Sequence, residues 1–333
     1  WHGRLAVATA VAATFVVAAP ANAADTVELD GGTTSLKLDG KTVRALRSAG
    51  ITVAVNKPAK VSGMTARFPV SGGDIDPANA KGTIEHKGGL TLKMGRTKVA
   101  LTSLTLNTGK KTFTAKSGKR TITVGTLAGG KVTRDGFATK VAGVKVKLGK
   151  AAAGALNRAF GGRVFKSGLA LGTATLAPET DEIAFDRGTT TLTFNAQTAA
   201  GLRQLGVNVA PVAPATANAT GGLVFPVTGG VVDTSNLSGR ITHSGGLTLG
   251  TLALSDPVIT LGSSVTLGVN LGTIADIALS GAPAIDPATR TVRVAGAVRL
   301  NEFAATALNQ LFGRPIFAPG AEIATASLDA VAR

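Results

Sequence analysis

Apolar and polar residues alternate in short segments along most of the chain. In residues 32–38 the apolar Leu36 and Leu38 alternate with polar neighbours, and residues 188–194 repeat the pattern. A period of two predicts β-strands with one buried face. Further strands are predicted at residues 51–55, 68–70, 82–86, 90–92, 99–106, 121–124, 141–148, 207–209, 258–261, 265–269 and 292–300.

Short helices interrupt the strands twice in each half. Residues 42–50 and 198–206 have apolar positions at spacings of three and four, with a Thr before the run as its cap and a Gly after it. These are common signals for the two ends of a helix. A second helix is predicted before Gly161 and before Gly313, within an Ala-Leu-Asn-x-x-Phe-Gly motif that a final strand follows.

One stretch occurs twice and organises the sequence. Residues 68–92 contain Phe-Pro-Val, Gly-Gly, an Asp and His-x-Gly-Gly-Leu-x-Leu, and residues 225–249 repeat all of them at an offset of 157. Segments before and after this stretch match at offsets of 156 and 152. The chain is therefore a tandem duplication, with about ten short strands and two short helices predicted in each copy.

The two copies define the predicted domains. One covers residues 24–177 and the other residues 184–333, with a proline beside an acidic run at residues 178–182 between them. Many short strands of period two, without helices for repeated parallel crossovers, favour an all-β fold. We predict two tandem antiparallel β-sandwich or barrel-like domains, each with about two short helices.

Residues 1–23 have the features of an export signal. A basic start with His2 and Arg4 precedes an apolar run to residue 19 and the small-residue site Ala21-Asn22-Ala23. A membrane anchor is the alternative, but the run is shorter than the roughly 20 residues that a span needs. We predict cleavage near Ala23, a secreted or cell-envelope location and no transmembrane segment after cleavage.

Composition and motifs exclude several kinds of chemistry. The chain has no Cys, which excludes disulfides, thiol catalysis and thiolate metal sites. Serine-hydrolase, P-loop and zinc-helix motifs are absent, so we expect a non-enzymatic protein without a metal site. Asp74 and Asp76 are two residues apart, so they would share a strand face and could carry out acid–base chemistry or bind a calcium ion. Only Asp76 has a counterpart in the second copy, Asp233. A turn at Asp76-Pro77 is the favoured interpretation.

Positive charge is concentrated in the first half. Of the formal net charge of +16, residues 24–176 carry 26 Lys and Arg against 8 Asp and Glu, whereas residues 177–333 carry 8 against 11. Many of the basic residues alternate with Thr and Val, which predicts that they share one sheet face. The candidates for binding a polyanion are Lys110, Lys111, Lys116, Lys119, Arg120, Lys145 and Lys147.

Two interpretations of this positive surface stay open. It is either a solvated face that promotes solubility or a surface that binds anionic cell-wall polymer or phospholipid headgroups. Nucleic acid is not an expected partner, because the chain has no Tyr and only 12 Phe for base stacking.

The order of motifs in each copy, from Phe-Pro through His-x-Gly-Gly-Leu to Ala-Leu-Asn-x-x-Phe-Gly, resembles the HtaA domain. That family comprises secreted and surface domains of actinobacteria, commonly in tandem, some of which bind haem. The resemblance covers most of each half and places His86 and His243 at the pocket histidine of the family. It implies candidate ligand pockets around Phe68 and His86 and around Phe225 and His243.

The resemblance also raises a difficulty for haem. Haem-binding members of the family use a tyrosine as the axial iron ligand, and this chain has none. Each pocket histidine therefore either ligates iron directly or has a structural role in its strand. Two lone histidines also make a poor zinc site.

Two functional hypotheses follow. The leading one is a cell-envelope protein that binds haem or another apolar ligand. The alternative is a structural or adhesive envelope module whose basic first domain binds anionic cell-wall polymer.

Overall fold

The computed structural model describes residues 26–333, and the predicted signal peptide lies outside this range. The chain forms two antiparallel β domains that follow the same order of elements. The prediction of two tandem all-β domains with two helices each is confirmed.

The first domain contains the following strands and helices, in chain order. They are β1 (Val27–Glu28), β2 (Gly31–Leu38), α1 (Gly40–Ser48), β3 (Thr52–Asn56), β4 (Lys60–Ser62), β5 (Thr65–Ile75), β6 (Gly82–His86), β7 (Gly89–Met94), β8 (Thr97–Asn107), β9 (Thr112–Ser117), β10 (Arg120–Ala128), β11 (Lys131–Asp135), β12 (Ala138–Leu148), α2 (Lys150–Phe160) and β13 (Ala170–Glu179).

The second domain repeats this series. Its elements are β14 (Glu182–Phe194), α3 (Ala196–Gln204), β15 (Val209–Val212), β16 (Thr216–Ala217), β17 (Leu223–Asp233), β18 (Ser238–His243), β19 (Gly246–Leu249), β20 (Leu252–Ser255), β21 (Val258–Leu261), β22 (Thr266–Val269), β23 (Gly272–Leu279), β24 (Ala284–Asp286), β25 (Thr291–Leu300), α4 (Glu302–Phe312) and β26 (Glu322–Ala332).

A ring of strands closes each domain into a barrel. In the first domain β5 is hydrogen-bonded to both β2 and β6, and the ring continues through β13, β12, β10, β9 and β8. In the second domain β14 pairs with both β17 and β26, and β25, β23, β22, β21 and β18 complete the ring. Closure leaves the ring without the unpaired edges of an open sheet.

The helices begin and end as their sequences dictate, with one difference from prediction. The predicted N-caps were Thr42 and Thr198, but the side chains of Asp39 and Asn195 accept hydrogen bonds from the backbone N–H of those two threonines at 2.8 Å. Asp and Asn compete well for this position because their oxygens reach the third amide. The helices α2 and α4 each end at a left-handed glycine, as predicted.

The Ala-Leu-Asn motif fastens the end of each closing helix. The side chain of Asn157 donates to the carbonyl of Phe165 at 2.8 Å and accepts from its N–H at 2.9 Å. Asn309 makes the same pair of bonds with Phe317. The motif therefore fixes the loop that returns the chain to the last strand.

The two domains are in direct contact. The side chain of Arg333 donates to both oxygens of Asp76, at 3.0 and 3.2 Å, and Asp76 is buried. Phe137, beside the hairpin tip between β11 and β12, packs against the core of the second domain. No helix within residues 26–333 is long and apolar enough to cross a membrane.

Candidate ligand-binding site

The two motif histidines lie inside the barrels and make the same contacts. His86 ends β6, and its Nε2 lies 2.7 Å from Oγ1 of Thr34 on β2, while its Nδ1 lies 3.0 Å from the carbonyl oxygen of Leu104. In the second domain the Nε2 of His243 lies 2.7 Å from Oγ1 of Thr190, and its Nδ1 lies 2.9 Å from the carbonyl oxygen of Pro257.

These contacts define the tautomer of each imidazole. A backbone carbonyl can only accept, so Nδ1 must carry the proton. In the neutral ring Nε2 is then an acceptor, and the threonine hydroxyl donates to it. Both nitrogens of His86 and of His243 are thus engaged by the protein, and iron could reach Nε2 only after the threonine hydroxyl had moved away.

Burial keeps both rings neutral. Each histidine is 4 % exposed. Desolvation lowers the pKa of His86 to about 4, against a smaller opposing effect of its hydrogen bond to Leu104. Burial lowers the pKa of His243 in the same way. Charged imidazolium is therefore not the form present near neutral pH.

The glycines of the His-x-Gly-Gly motif let the chain pass close to a neighbouring turn. A Cβ on Gly88 would lie 2.6 Å from the carbonyl oxygen of Asn56, and Gly88 has a φ of +87°. Gly245 repeats this arrangement, with a φ of +84° and a Cβ position 2.5 Å from the backbone N of Ala215. Only glycine fits at these two positions.

The second domain contains a cavity of about 290 Å³ inside its barrel. Thr190 and His243 are the polar residues of its wall, and they are hydrogen-bonded to each other. The rest of the lining is aliphatic or aromatic and includes Phe194 and Phe225. Apolar walls with very few polar groups are typical of sites for apolar small molecules.

The mouth of this cavity is also apolar. Phe303, Ala307 and Leu311 lie at i, i+4 and i+8 on α4, line the cavity and are exposed. Phe303 is 63 % exposed and Leu271, another lining residue on the turn before β23, is 53 % exposed. Large exposed apolar side chains gathered at one opening are typical of a binding site.

The first domain has a smaller cavity at the equivalent place. Its volume is about 120 Å³, and its lining includes Thr34, His86 and Phe68. Phe113 is the counterpart of Leu267, since the two pair with the equivalent residues Leu106 and Ile259. The larger phenylalanine ring occupies space that the second domain leaves open.

The structure therefore brings together the sequence-predicted residues of each pocket. Phe68 and His86 line one cavity, and Phe225 and His243 line the other. The sequence did not indicate their partners Thr34 and Thr190, although both lie in the repeated Gly-Thr-Thr segment. It also did not indicate the cavity mouth on α4.

The predicted polyanion-binding residues are all exposed. Lys145 and Lys147 alternate with buried valines on β12 and so point outward, as the period of two predicts. They stand on one strand, whereas the other candidates lie on β9 and β10 or in the turns that flank β9. The candidates in those places are Lys110, Lys111, Lys116, Lys119 and Arg120.

The two carboxylates singled out in the sequence, Asp74 and Asp76, lie in different surroundings. Asp76 accepts from the N–H of Ala78 at 2.9 Å and from the side-chain amide of Asn79 at 2.6 Å, as expected of a turn residue, and it also accepts from Arg333. Asp74 is exposed. Within residues 26–333 no group of three or more potential ligands is close enough to hold a metal ion.

Two solved structures are similar to a little under half of this chain. The C-terminal domain of HtaA from Corynebacterium glutamicum is 17% identical, with 45% of this chain and 99% of that chain covered and a TM-score of 0.38. The heme binding protein HtaB from the same organism is 14% identical, with 46% and 96% covered and a TM-score of 0.32. No family model matches the sequence, and no curated protein matches it significantly.

Proposed function

We propose that the second domain binds a bulky apolar small molecule in its barrel cavity. The observation that carries this proposal is a cavity of about 290 Å³ whose wall is apolar except for one internally satisfied His–Thr pair. Its size lies near the lower end of the usual range for ligand sites, roughly 300–1,000 Å³.

The physical argument is one of packing. Protein interiors are normally filled to the density of organic crystals, with few voids larger than a water molecule. The side chains that line this cavity lack van der Waals partners on one side, and an apolar ligand would supply them. Water gains little there, because the wall offers no unpaired polar group to hold it.

Haem is the first ligand of this class to test, because the resemblance to the HtaA domain implies it. The geometry favours a ligand held by shape and apolar contact over one held through iron. In the cavity wall His243 carries the only imidazole, and both of its nitrogens are hydrogen-bonded. The sequence supplies no tyrosine or cysteine as another iron ligand.

A titration with haem, followed by absorbance, tests the iron-ligated form. A shifted Soret band that is lost in the double variant His86→Ala and His243→Ala would support iron ligation by these residues. No band at micromolar haem would exclude that form, and titration with N-phenyl-1-naphthylamine, a neutral apolar fluorophore, would then test the general proposal.

A charge at the cavity mouth tests the location of the ligand. Leu311→Asp places a carboxylate beside the apolar opening, where desolvation by a bound ligand would be costly, so we expect fluorophore affinity to fall about tenfold. Ile285→Asp is the matched control, because Ile285 is 46 % exposed, against 47 % for Leu311, and does not line the cavity. Equal affinities in the two variants would place the ligand elsewhere.

A second candidate function concerns the first domain. The exposed lysines on β12 and around β9 support the hypothesis of a non-catalytic envelope module that binds anionic cell-wall polymer or lipid headgroups. It predicts retention on isolated cell wall that is released by salt. Retention that survives replacement of Lys110, Lys111, Lys119 and Arg120 by Gln in the full chain would contradict a role for these residues.

Secretion to the cell envelope is part of both proposals. It is supported by the export signal predicted in residues 1–23. Fractionation of producing cells checks it, with the protein expected in the medium or the wall fraction and not in the cytosol.

A further inference from the structure

A polar groove lies on the outer face of the first domain, separate from the internal cavity. It has a volume of about 530 Å³ and is bordered by β6, β8, β9, β10 and the turn after β3. Strand β6 forms the partition between the two spaces. Its residues alternate, so that Ile84 and His86 are buried while Glu85 and the following Lys87 are exposed.

The groove is positively charged. Lys57, Lys87 and Lys116 line it, all three are exposed, and Glu85 is its single acidic residue. The salt bridges found among residues 26–333 involve none of these four side chains. The three ammonium groups are therefore available to a ligand.

Hydroxyl groups accompany the lysines. The lining includes five Ser and Thr residues, namely Ser71, Thr102, Ser103, Thr105 and Thr121. Each hydroxyl both donates and accepts hydrogen bonds, a versatility that suits a ligand rich in its own hydroxyl groups.

The second domain shows that the fold does not require this charge. It has the same backbone frame, because the N–H of Ser103 bonds to the carbonyl of Gly88, and that of Asp256 bonds to the carbonyl of Gly245. On this frame the positions of Lys57, Lys87 and Lys116 are occupied by Ala213, Ser244 and Asn270. Asp256 adds a negative charge where the first domain has Ser103.

We propose that this groove binds a phosphate ester of a polyol, either as a soluble polymer chain or as a lipid headgroup. A lysine ammonium is a compact point charge that suits phosphate oxygens, and three of them along one groove match a chain with repeated negative charge. The hydroxyl-bearing residues fit the polyol part. The proposal rests on the second candidate function, polyanion binding by the first domain, and is independent of the apolar ligand proposed for the second domain.

Equilibrium binding of the full chain to soluble poly(glycerol phosphate) tests the proposal. The triple variant Lys57→Ala, Lys87→Ala and Lys116→Ala is compared with a triple variant of equal charge, Lys93→Ala, Lys98→Ala and Lys166→Ala, whose lysines are exposed, do not line the groove and are not among the polyanion-binding candidates. We expect the groove variant to lose at least about tenfold in affinity and the control less than about threefold. All six residues are exposed, so neither variant should unfold.

A parallel arm uses vesicles that contain phosphatidylglycerol, and binding in one arm alone identifies the source of the phosphate ester. Equal losses in the two triple variants would show diffuse attraction to a basic surface and overturn the proposal, as would the absence of binding in both arms. Fluorophore binding by the second domain should be the same in both variants, so failure of one site is distinguishable from failure of the other.

Discussion

At the scale of single residues, each domain contains one buried histidine. His86 and His243 connect two elements of their barrel, because each receives a hydrogen bond from a threonine on the first strand of the ring and donates one to a distant carbonyl. The sequence identified both histidines through the repeat. It could not identify the threonines, since Thr34 and His86 are 52 residues apart and only closure of the ring brings them together.

The hydroxyl of Thr190 should matter for stability. Thr190→Val leaves the Nε2 of His243 buried without a donor, which should lower the free energy of unfolding by about 1–3 kcal/mol. Chemical denaturation measures this change, with Thr228→Val as control, because Thr228 is exposed on β17 and its loss should cost within about 0.5 kcal/mol. Equal effects of the two substitutions would contradict the role assigned to Thr190.

The buried histidines also predict how stability depends on pH. Burial lowers the pKa of His86 to about 4 in the folded protein, whereas a solvent-exposed histidine, as in the unfolded chain, has a pKa of 6.5. Between these two pH values the unfolded chain therefore binds more protons than the folded one. Stability should therefore be fully present above pH 6.5 and fall as the pH drops towards 4, by about 3 kcal/mol from His86 alone, with His243 acting in the same direction.

Urea denaturation at several pH values between 4 and 6.5 measures this slope. The variant His86→Gln should show a shallower slope than the wild type, because it lacks one of the two titrating rings. Identical slopes in the two proteins would mean that His86 is not buried in its neutral form.

At the scale of elements, periodicity predicted many of the strands that bury an apolar face but missed others, among them β9 and β23. Strands β2, β6 and β12 match the predicted segments closely. The period of two failed for β11, Lys131–Asp135, because all of its residues are exposed or half-buried and carry mostly polar side chains. The closure of each ring could not be predicted from the periodicity either, because it depends on pairings between distant strands, such as β14 with β17 and β26.

One pair of equivalent residues on β9 and β22 should control the cavity volumes. Leu267→Phe introduces into the second domain the ring that Phe113 supplies in the first, and filling the cavity should raise the free energy of unfolding by about 1 kcal/mol. The reciprocal change Phe113→Leu should lower it by about 1 kcal/mol. Denaturation curves of both variants check this, and a loss of stability in Leu267→Phe would indicate that the cavity is too narrow for the ring.

At the scale of the whole molecule, the two domains share one order of elements but differ in charge and in cavity volume. The first carries lysines on its outer face and a small cavity, and the second has no lysine, a small net charge and a larger cavity with an apolar mouth. The charge asymmetry could be read from the sequence. The difference in cavity volume could not, because it depends on which side chains meet inside each ring.

The contact between the domains should depend on Arg333. Its two hydrogen bonds to Asp76 satisfy a buried carboxylate, so Arg333→Ala should lower the free energy of unfolding by about 2 kcal/mol. Arg293→Ala is the matched control, because Arg293 and its partner Asp329 are exposed and such pairs contribute at most about 1 kcal/mol. Calorimetry compares the two, and an equal effect would mean that Arg333 does not hold the domains together.

Equilibrium titration of the full chain with N-phenyl-1-naphthylamine tests most directly whether the second barrel binds an apolar ligand. We expect saturable binding of one equivalent to the wild type and a loss of about tenfold or more in affinity in Leu267→Phe, because the added ring occupies the space that the ligand needs. Absence of saturable binding, or equal affinity in the wild type and Leu267→Phe, would contradict this proposal.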